Sequence, residues 1–146
     1  MEFTIAPMEK VHRETILAMM RTFYASPAVL TNGSEAIFAA DIDACVSDNP
    51  YLEGFVFCRG EELLGYGMAA KSFSTEFGKP CIWIEDLYVA PQYRGQGIGS
   101  AFLDFMTRRY PKAILRLEVE EENEKAIAVY RKSGFEVLPY MEMKKE

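Results

Sequence analysis

Apolar positions recur along the chain with two periods, and the switches between them mark the predicted elements. Phe3 to Ala6 reads as a short first strand. From Met8 to Tyr24, the residues Val11, Ile16, Leu17, Met20, Phe23 and Tyr24 return at helical spacing. Ser26-Pro27 ends that helix, because proline crowds the residue before it out of the α region. Ser34 is a good N-cap for a second helix, which carries Ile37, Phe38, Ile42 and Val46 and stops before Asn49-Pro50. Gly54 to Cys58 and Leu63 to Ala70 flank the turn Arg59-Gly60-Glu61-Glu62 and predict an antiparallel hairpin. Phe73 to Lys79 is a loop, and Cys81 to Val89 is a strong strand. Ile98, Ala101, Phe102, Phe105 and Met106 make the apolar face of a third helix. Pro111 interrupts before a strand from Ala113 to Val119. Asn123 begins a fourth helix with Ala126, Ile127 and Tyr130 along one side, and Gly134 supplies its C-terminal stop. Phe135 to Leu138 and Tyr140 to Lys144 close the chain as two short strands separated by Pro139.

The predicted order is β-α-α-β-β-β-α-β-α-β-β. Antiparallel strands lead and a parallel β-α-β unit follows. The expected fold is therefore one α/β domain over residues 1–146, with a mixed, mostly antiparallel sheet and helices on both faces. It is not a doubly wound dinucleotide-binding sheet. Composition agrees with a globular chain, at 49% hydrophobic and 26% charged residues. No apolar run approaches the ~20 residues that span a bilayer, so no membrane partner is expected. The N-terminus lacks the basic start and apolar stretch of a leader. Cys45, Cys58 and Cys81 are odd in number and lack metal-ligand spacing, which predicts reduced thiols, a cytoplasmic setting and no metal. A net charge of −6 argues against nucleic acid and is compatible with a cationic small molecule.

The chemistry concentrates in Glu85-Asp86-Leu87-Tyr88-Val89-Ala90-Pro91-Gln92-Tyr93-Arg94-Gly95-Gln96-Gly97-Ile98-Gly99-Ser100. This is a strand, a proline-marked turn, a glycine-rich loop and a helix start. The first amides of a helix have no partners of their own and carry the positive end of its dipole, so they suit a pyrophosphate. Gly95, Gly97 and Gly99 let the backbone approach without a Cβ in the way, and Arg94 adds a fixed positive charge at the rim. The spacing G-x-G-x-G misses the dinucleotide fingerprint, and no Lys-Ser/Thr follows as a Walker A loop requires.

Arg94-Gly95-Gln96-Gly97-Ile98-Gly99, together with Asn123-x-x-Ala126-x-x-x-Tyr130-x-x-x-Gly134-Phe135, resembles the acetyl-CoA motifs of the GNAT N-acetyltransferase superfamily. The resemblance implies acetyl-CoA as co-substrate and a GNAT-like fold. It implies that the backbone of Leu87 and Val89, either side of Tyr88, pairs with the pantetheine arm as an added strand would. Amides from Arg94 through Ser100 would hold the pyrophosphate, and Asn123 would touch the arm from the opposite side. Tyr130 occupies the position of the general acid, and a backbone amide at Leu87 or Val89 that of the oxyanion donor. The Glu-Asp pair ahead of Leu-Tyr-Val is similar to that of the diamine N-acetyltransferases. Carried over, Glu85 is a base acting through water and Asp86 anchors a cationic amine.

Strand alternation sends Glu85 and Asp86 to opposite faces unless a bulge redirects them. Glu118 is the rival base or an acceptor contact, and resembles the acid of protein N-terminal acetyltransferases. His12 lies far in sequence from both motifs and is not expected to act. Glu120, Glu121, Glu122 and Glu124 read as a solvated run at a helix N-terminus. Tyr51, Phe73, Phe77 and Trp83 are equally good as acceptor lining or as core. The short Leu138-Pro139-Tyr140 joint predicts an open acceptor site, or one completed by a second subunit of a homodimer. The expected activity is acetyl transfer to a primary amine, a small cationic amine or polyamine, within a ternary complex. The alternatives are a peptide N-terminal acetyltransferase and a non-catalytic acyl-CoA sensor.

Overall fold

A computed structural model describes residues 2–146. Five strands form one sheet in sequence order: β1 (Thr4–Pro7), β2 (Leu52–Arg59), β3 (Glu62–Ser74), β4 (Lys79–Val89) and β5 (Ile114–Leu117). β1 to β4 pair antiparallel, and β4 pairs β5 in parallel. Helices α1 (Arg13–Tyr24) and α2 (Glu35–Cys45) cover one face, while α3 (Ile98–Arg109) and α4 (Glu124–Lys132) lie on the other. The mixed sheet between two helical layers agrees with the sequence expectation. Each face has its own core. Ile16, Met20, Phe38, Ile42, Val56, Tyr66, Met68 and Tyr88 fill the α1/α2 side. Phe55, Phe57, Leu64, Ile82, Ile84, Phe102, Leu103 and Met106 fill the other.

The boundaries shift where local pattern is a weak guide. Residues Lys10–His12 form a 3-10 turn ahead of α1, and Val11 is 83% exposed, so the apolar spacing that begins at Met8 overstates that helix by one turn. The hairpin turn is tighter than predicted. Arg59 pairs with Glu62, leaving only Gly60-Glu61 between the strands, with Gly60 at φ +64°. β3 and β4 extend to Ser74 and Lys79, shortening the expected loop to residues 75–78. β5 ends at Leu117 rather than Val119.

The two expected terminal strands, 135–138 and 140–144, do not form. Beyond α4 the chain carries no regular structure. Pro139 removes a ladder donor at the middle of this segment, and β5 offers an edge only four residues long. The segment is held by side chains instead: Phe135 packs on Tyr130, and the Tyr140 hydroxyl donates to Glu76 Oε2 at 2.6 Å.

Two glycines of β3 permit close approaches, Gly65 to β4 and Gly67 to α3. A Cβ at Gly65 would sit 2.1 Å from the Tyr88 carbonyl oxygen, and one at Gly67 would enter the Phe102 ring at 2.5 Å. Gly65→Ala is expected to cost about 3 kcal/mol, because a backbone carbonyl cannot yield as a side chain can. Urea unfolding checks this, and a loss well below 1 kcal/mol would contradict it.

Candidate active site

β4 and β5 part company halfway along β4. Their pairing ends at Ile84↔Leu117, yet β4 runs on to Val89. The Ala90 amide donates to Leu64 O on the β3 side at 2.8 Å. With a period of two, the Tyr88 amide points the same way, and the N–H groups of Leu87 and Val89 point to the open edge. Tyr88 itself is 5% exposed, its ring 5.9 Å from that of Tyr66. Arg94 reaches back across this edge. Its Nε donates to Val89 O at 2.8 Å, and its guanidinium lies 5.6 Å from the Tyr88 ring centroid.

The glycine loop enters α3 through Gly97, the N-cap, at φ +82°. Gly95 is also left-handed at φ +77°, a conformation that disfavours any side chain. No side chain caps Gly97, so the amides of Ile98, Gly99 and Ser100 keep their free donors. An added Cβ at Gly95 or Gly97 meets nothing within 4 Å, and at Gly99 only Leu87 Cδ2 at 3.8 Å. Gln96 completes this exposed loop. Uncapped amides, an open approach and Arg94 together make a set of donors suited to a pyrophosphate.

On the α3/α4 side, Tyr130 projects from α4 and packs against Phe135, ring centroids 6.1 Å apart. Burial pushes its hydroxyl above the usual phenol range, so it stays protonated at neutral pH. Asn123 is the α4 N-cap, and its Oδ1 accepts from the Ala126 amide at 3.3 Å.

On the α1/α2 side, the register of β3 against β4 jumps. Met68 faces Asp86 while Ala69 faces Ile84, so Glu85 is the extra residue of a bulge. The bulge reverses the alternation after Ile84. Asp86 therefore turns to the α1/α2 face beside Tyr88 and is only 4% exposed. Its Oδ1 accepts from the Tyr24 hydroxyl at 3.0 Å and its Oδ2 from Tyr66 at 2.7 Å. Burial raises the Asp86 carboxyl, and the Tyr66 and Tyr24 hydrogen bonds act against that rise.

Glu85 beside it reaches solvent, yet the protein around it partly desolvates its carboxyl, which is raised by that and by the charges of Asp86, Asp41 and Glu142. Asp41, from α2, rises to about 6 through burial and Asp86. Glu118, just past β5, rises to about 7 through its hydrogen bond with Glu142, burial, and the charges of Glu142 and Glu85. Five carboxyls thus gather where the sheet opens. Sequence reasoning singled out Glu85, Asp86 and Glu118 but missed Asp41, Glu142 and the two tyrosines. Two carboxylates, Asp41 and Asp43, break the otherwise apolar run Ala36–Cys45, and that was the one signal for Asp41. Of the aromatics read as lining or core, Tyr51 is 71% exposed and Phe73 63% exposed, so neither is core. Burial pushes the Cys45 thiol up to about 12, too high for a nucleophile at neutral pH.

This cluster has a stability consequence. Glu118 and Asp41 hold their protons to higher pH in the folded chain than in the unfolded one. The stability they contribute is complete below about pH 4 and is lost as pH rises through about 6 and about 7. Glu35, Glu53 and Glu62 are lowered and act with the opposite sign below pH 4.5. The melting temperature is expected to fall by a few degrees between about pH 5 and about pH 7.5, and Glu142→Gln should flatten that fall. A melting temperature that climbs across the same range would contradict it.

The split sheet and the glycine-loop helix define an acyltransferase architecture, and the chain belongs to the acetyltransferase (GNAT) family, whose model matches residues 17–135. It is 39% identical over 83 residues to a thialysine N-epsilon-acetyltransferase of Bos taurus, covering 55% of this chain and 48% of that protein. The counterpart from Mus musculus is 35% identical over a stretch of the same length, with the same coverage. The chain spans about half the length of the curated relatives it matches. Among solved structures it resembles "a possible acetyltransferase from Clostridium difficile 630" with a TM-score of 0.83 at 19% identity, covering 99% of this chain and 97% of that one. It also resembles AAC(6')-Iy in complex with the bisubstrate analogue CoA-S-monomethyl-acetylneamine, with a TM-score of 0.80 at 17% identity over 100% and 99% of the two chains. These structural likenesses support the fold.

Proposed function

We propose that this protein transfers an acetyl group from acetyl-CoA to the primary amine of a small cationic acceptor, with both substrates bound together. The observation that carries the reading is the opening between β4 and β5, which has the uncapped amides of α3 and Tyr130 on one side and five carboxyls on the other. Acetyl-CoA supplies an activated acetyl group. Arg94 and the amides from Gly95 to Ser100 hold its pyrophosphate, and the Leu87 and Val89 edge holds its arm. Asn123 caps α4 through Oδ1, which leaves its Nδ2 donors for the arm.

The acidic cluster attracts the ammonium, and Glu118 with Glu142 takes it at the mouth. Glu85, acting through a water, removes the proton that lets the amine attack. One Leu87 or Val89 amide steadies the oxygen that gains charge. The Tyr130 hydroxyl gives its proton to the departing sulfur. Two substrates held side by side need no enzyme nucleophile. The name of the curated relatives, thialysine N-epsilon-acetyltransferase, favours an amine acceptor.

Glu118 is a second reading for the base, favoured by a carboxyl raised to about 7, close to the ideal for a base at neutral pH. Release of CoA thiol from acetyl-CoA, followed with polyamines, amino acids, aminoglycosides and short peptides, tests both readings. Turnover on amines that falls about a hundredfold in Glu85→Gln and less in Glu118→Gln supports Glu85, and the reverse order supports Glu118. Tight acetyl-CoA binding without turnover on any amine would replace the enzyme reading with a sensor.

A further inference from the structure

Arg116 stands out against the acidic face. It is the register partner of Trp83 across the parallel pair β4/β5, and its guanidinium lies 4.5 Å from the Trp83 ring centroid. Ile82 and Ile84 face the α3/α4 core and alternate with Trp83. Trp83 and Arg116 therefore share the α1/α2 face, with Glu85 two residues after Trp83 on β4 and Glu118 two residues after Arg116, just past the end of β5. Arg116 forms no ion pair and no side-chain hydrogen bond among the described residues, although acids outnumber bases in this chain by 22 to 16. Tyr140 stands close enough to feel its charge. The Tyr140 hydroxyl is itself spent on Glu76, the carboxylate of the neighbouring turn. The guanidinium thus lies over an indole, is held by a half-buried strand, and has its donors unspent among the described residues. An arginine offers a planar fork matched to a carboxylate.

We propose that Arg116 reads a carboxylate on the acceptor, so that the preferred acceptor is a lysine-like aminocarboxylate rather than a plain diamine. This rests on the acetyltransfer reading above. Two residues of chain, a reach of at most about 7 Å, separate Arg116 from Glu118 and Trp83 from Glu85. An amine carried several carbons from the carboxylate spans that distance, whereas an α-amine beside the carboxylate does not. The acidic cluster alone would favour a dication such as cadaverine over lysine, because the lysine carboxylate would meet like charge. Arg116 reverses that order.

Trp83 is the only tryptophan of the chain, so its emission reports directly on this site. L-Lysine and ε-aminocaproate are expected to shift Trp83 fluorescence, while cadaverine and lysinamide leave it unchanged, and Arg116→Gln should abolish the shift. In the CoA-release assay, kcat/KM for lysine should exceed that for cadaverine, and the ratio should fall about tenfold or more in Arg116→Gln. An equal response to cadaverine, or a lysine response that survives Arg116→Gln, would overturn the proposal. The wild-type comparison alone decides the matter if the variant does not fold. A carboxylate response with no acetyl transfer would keep this subsite and remove the enzyme reading. Diamine turnover with no carboxylate response would do the reverse.

Discussion

Tyr130→Phe is expected to lower kcat by about a hundredfold while leaving acetyl-CoA affinity within about twofold. The substitution removes one hydroxyl and little else. Tyr130 makes no side-chain hydrogen bond among the described residues, and its contact with Phe135 is ring against ring, which phenylalanine reproduces. No buried partner is therefore left unsatisfied, and stability should hardly change. What is lost is a proton donor. Burial holds the hydroxyl protonated, so it can give a proton to a thiolate but cannot act as a base. Turnover at saturating substrates and calorimetric titration with acetyl-CoA separate the two roles. If kcat and affinity fall together, Tyr130 is a packing residue; if neither falls, the leaving thiolate takes its proton from elsewhere.

The parts legible in the sequence were those whose signal is local. The glycine loop, the Asn123 cap and the run from Cys81 to Val89 each announce themselves within a few residues, because left-handed turns, caps and alternation are local constraints. The acceptor side was not legible to the same degree. Asp41, Tyr24, Tyr66 and Asp86 come from four elements, and only the packing of α1 and α2 on the sheet brings them together. In sequence, Tyr24 reads as the end of an apolar helix stripe and Tyr66 as one aromatic in a hairpin. The bulge at Glu85 decides which face Asp86 takes, and a one-residue shift in register leaves no mark in an apolar–polar pattern. The terminal segment erred in the other direction. Its alternation suits a strand, but strands need an edge to pair with, and β5 stops at Leu117.

Asp86 separates stability from recognition, and its two substitutions are expected to diverge. Asp86→Ala should cost about 3 kcal/mol, because it strips the acceptor from two tyrosyl hydroxyls at once. Tyr24 can turn toward water, being half-buried, but Tyr66 is 0% exposed and would keep an unpaired hydroxyl in the core. Asp86→Asn leaves an oxygen for Tyr66 and an amide that can donate to the Tyr24 oxygen, so the network closes again. It also removes the cost of burying a charge, so stability should hold or rise. The charge itself is what recognition loses. Asp86 raises both Asp41 and Glu85, and without it both should titrate nearer their ordinary range. An ammonium a few ångströms away would lose attraction worth about tenfold in KM at a protein-surface dielectric. Urea unfolding and acceptor KM, measured on both variants, read the two effects independently. A destabilised Asp86→Asn would mean that the ionised form is what the tyrosines require. An unchanged KM would mean that the buried charge serves only to hold α1 against the sheet, leaving the exposed carboxyls Glu85 and Glu118 to bind the amine alone.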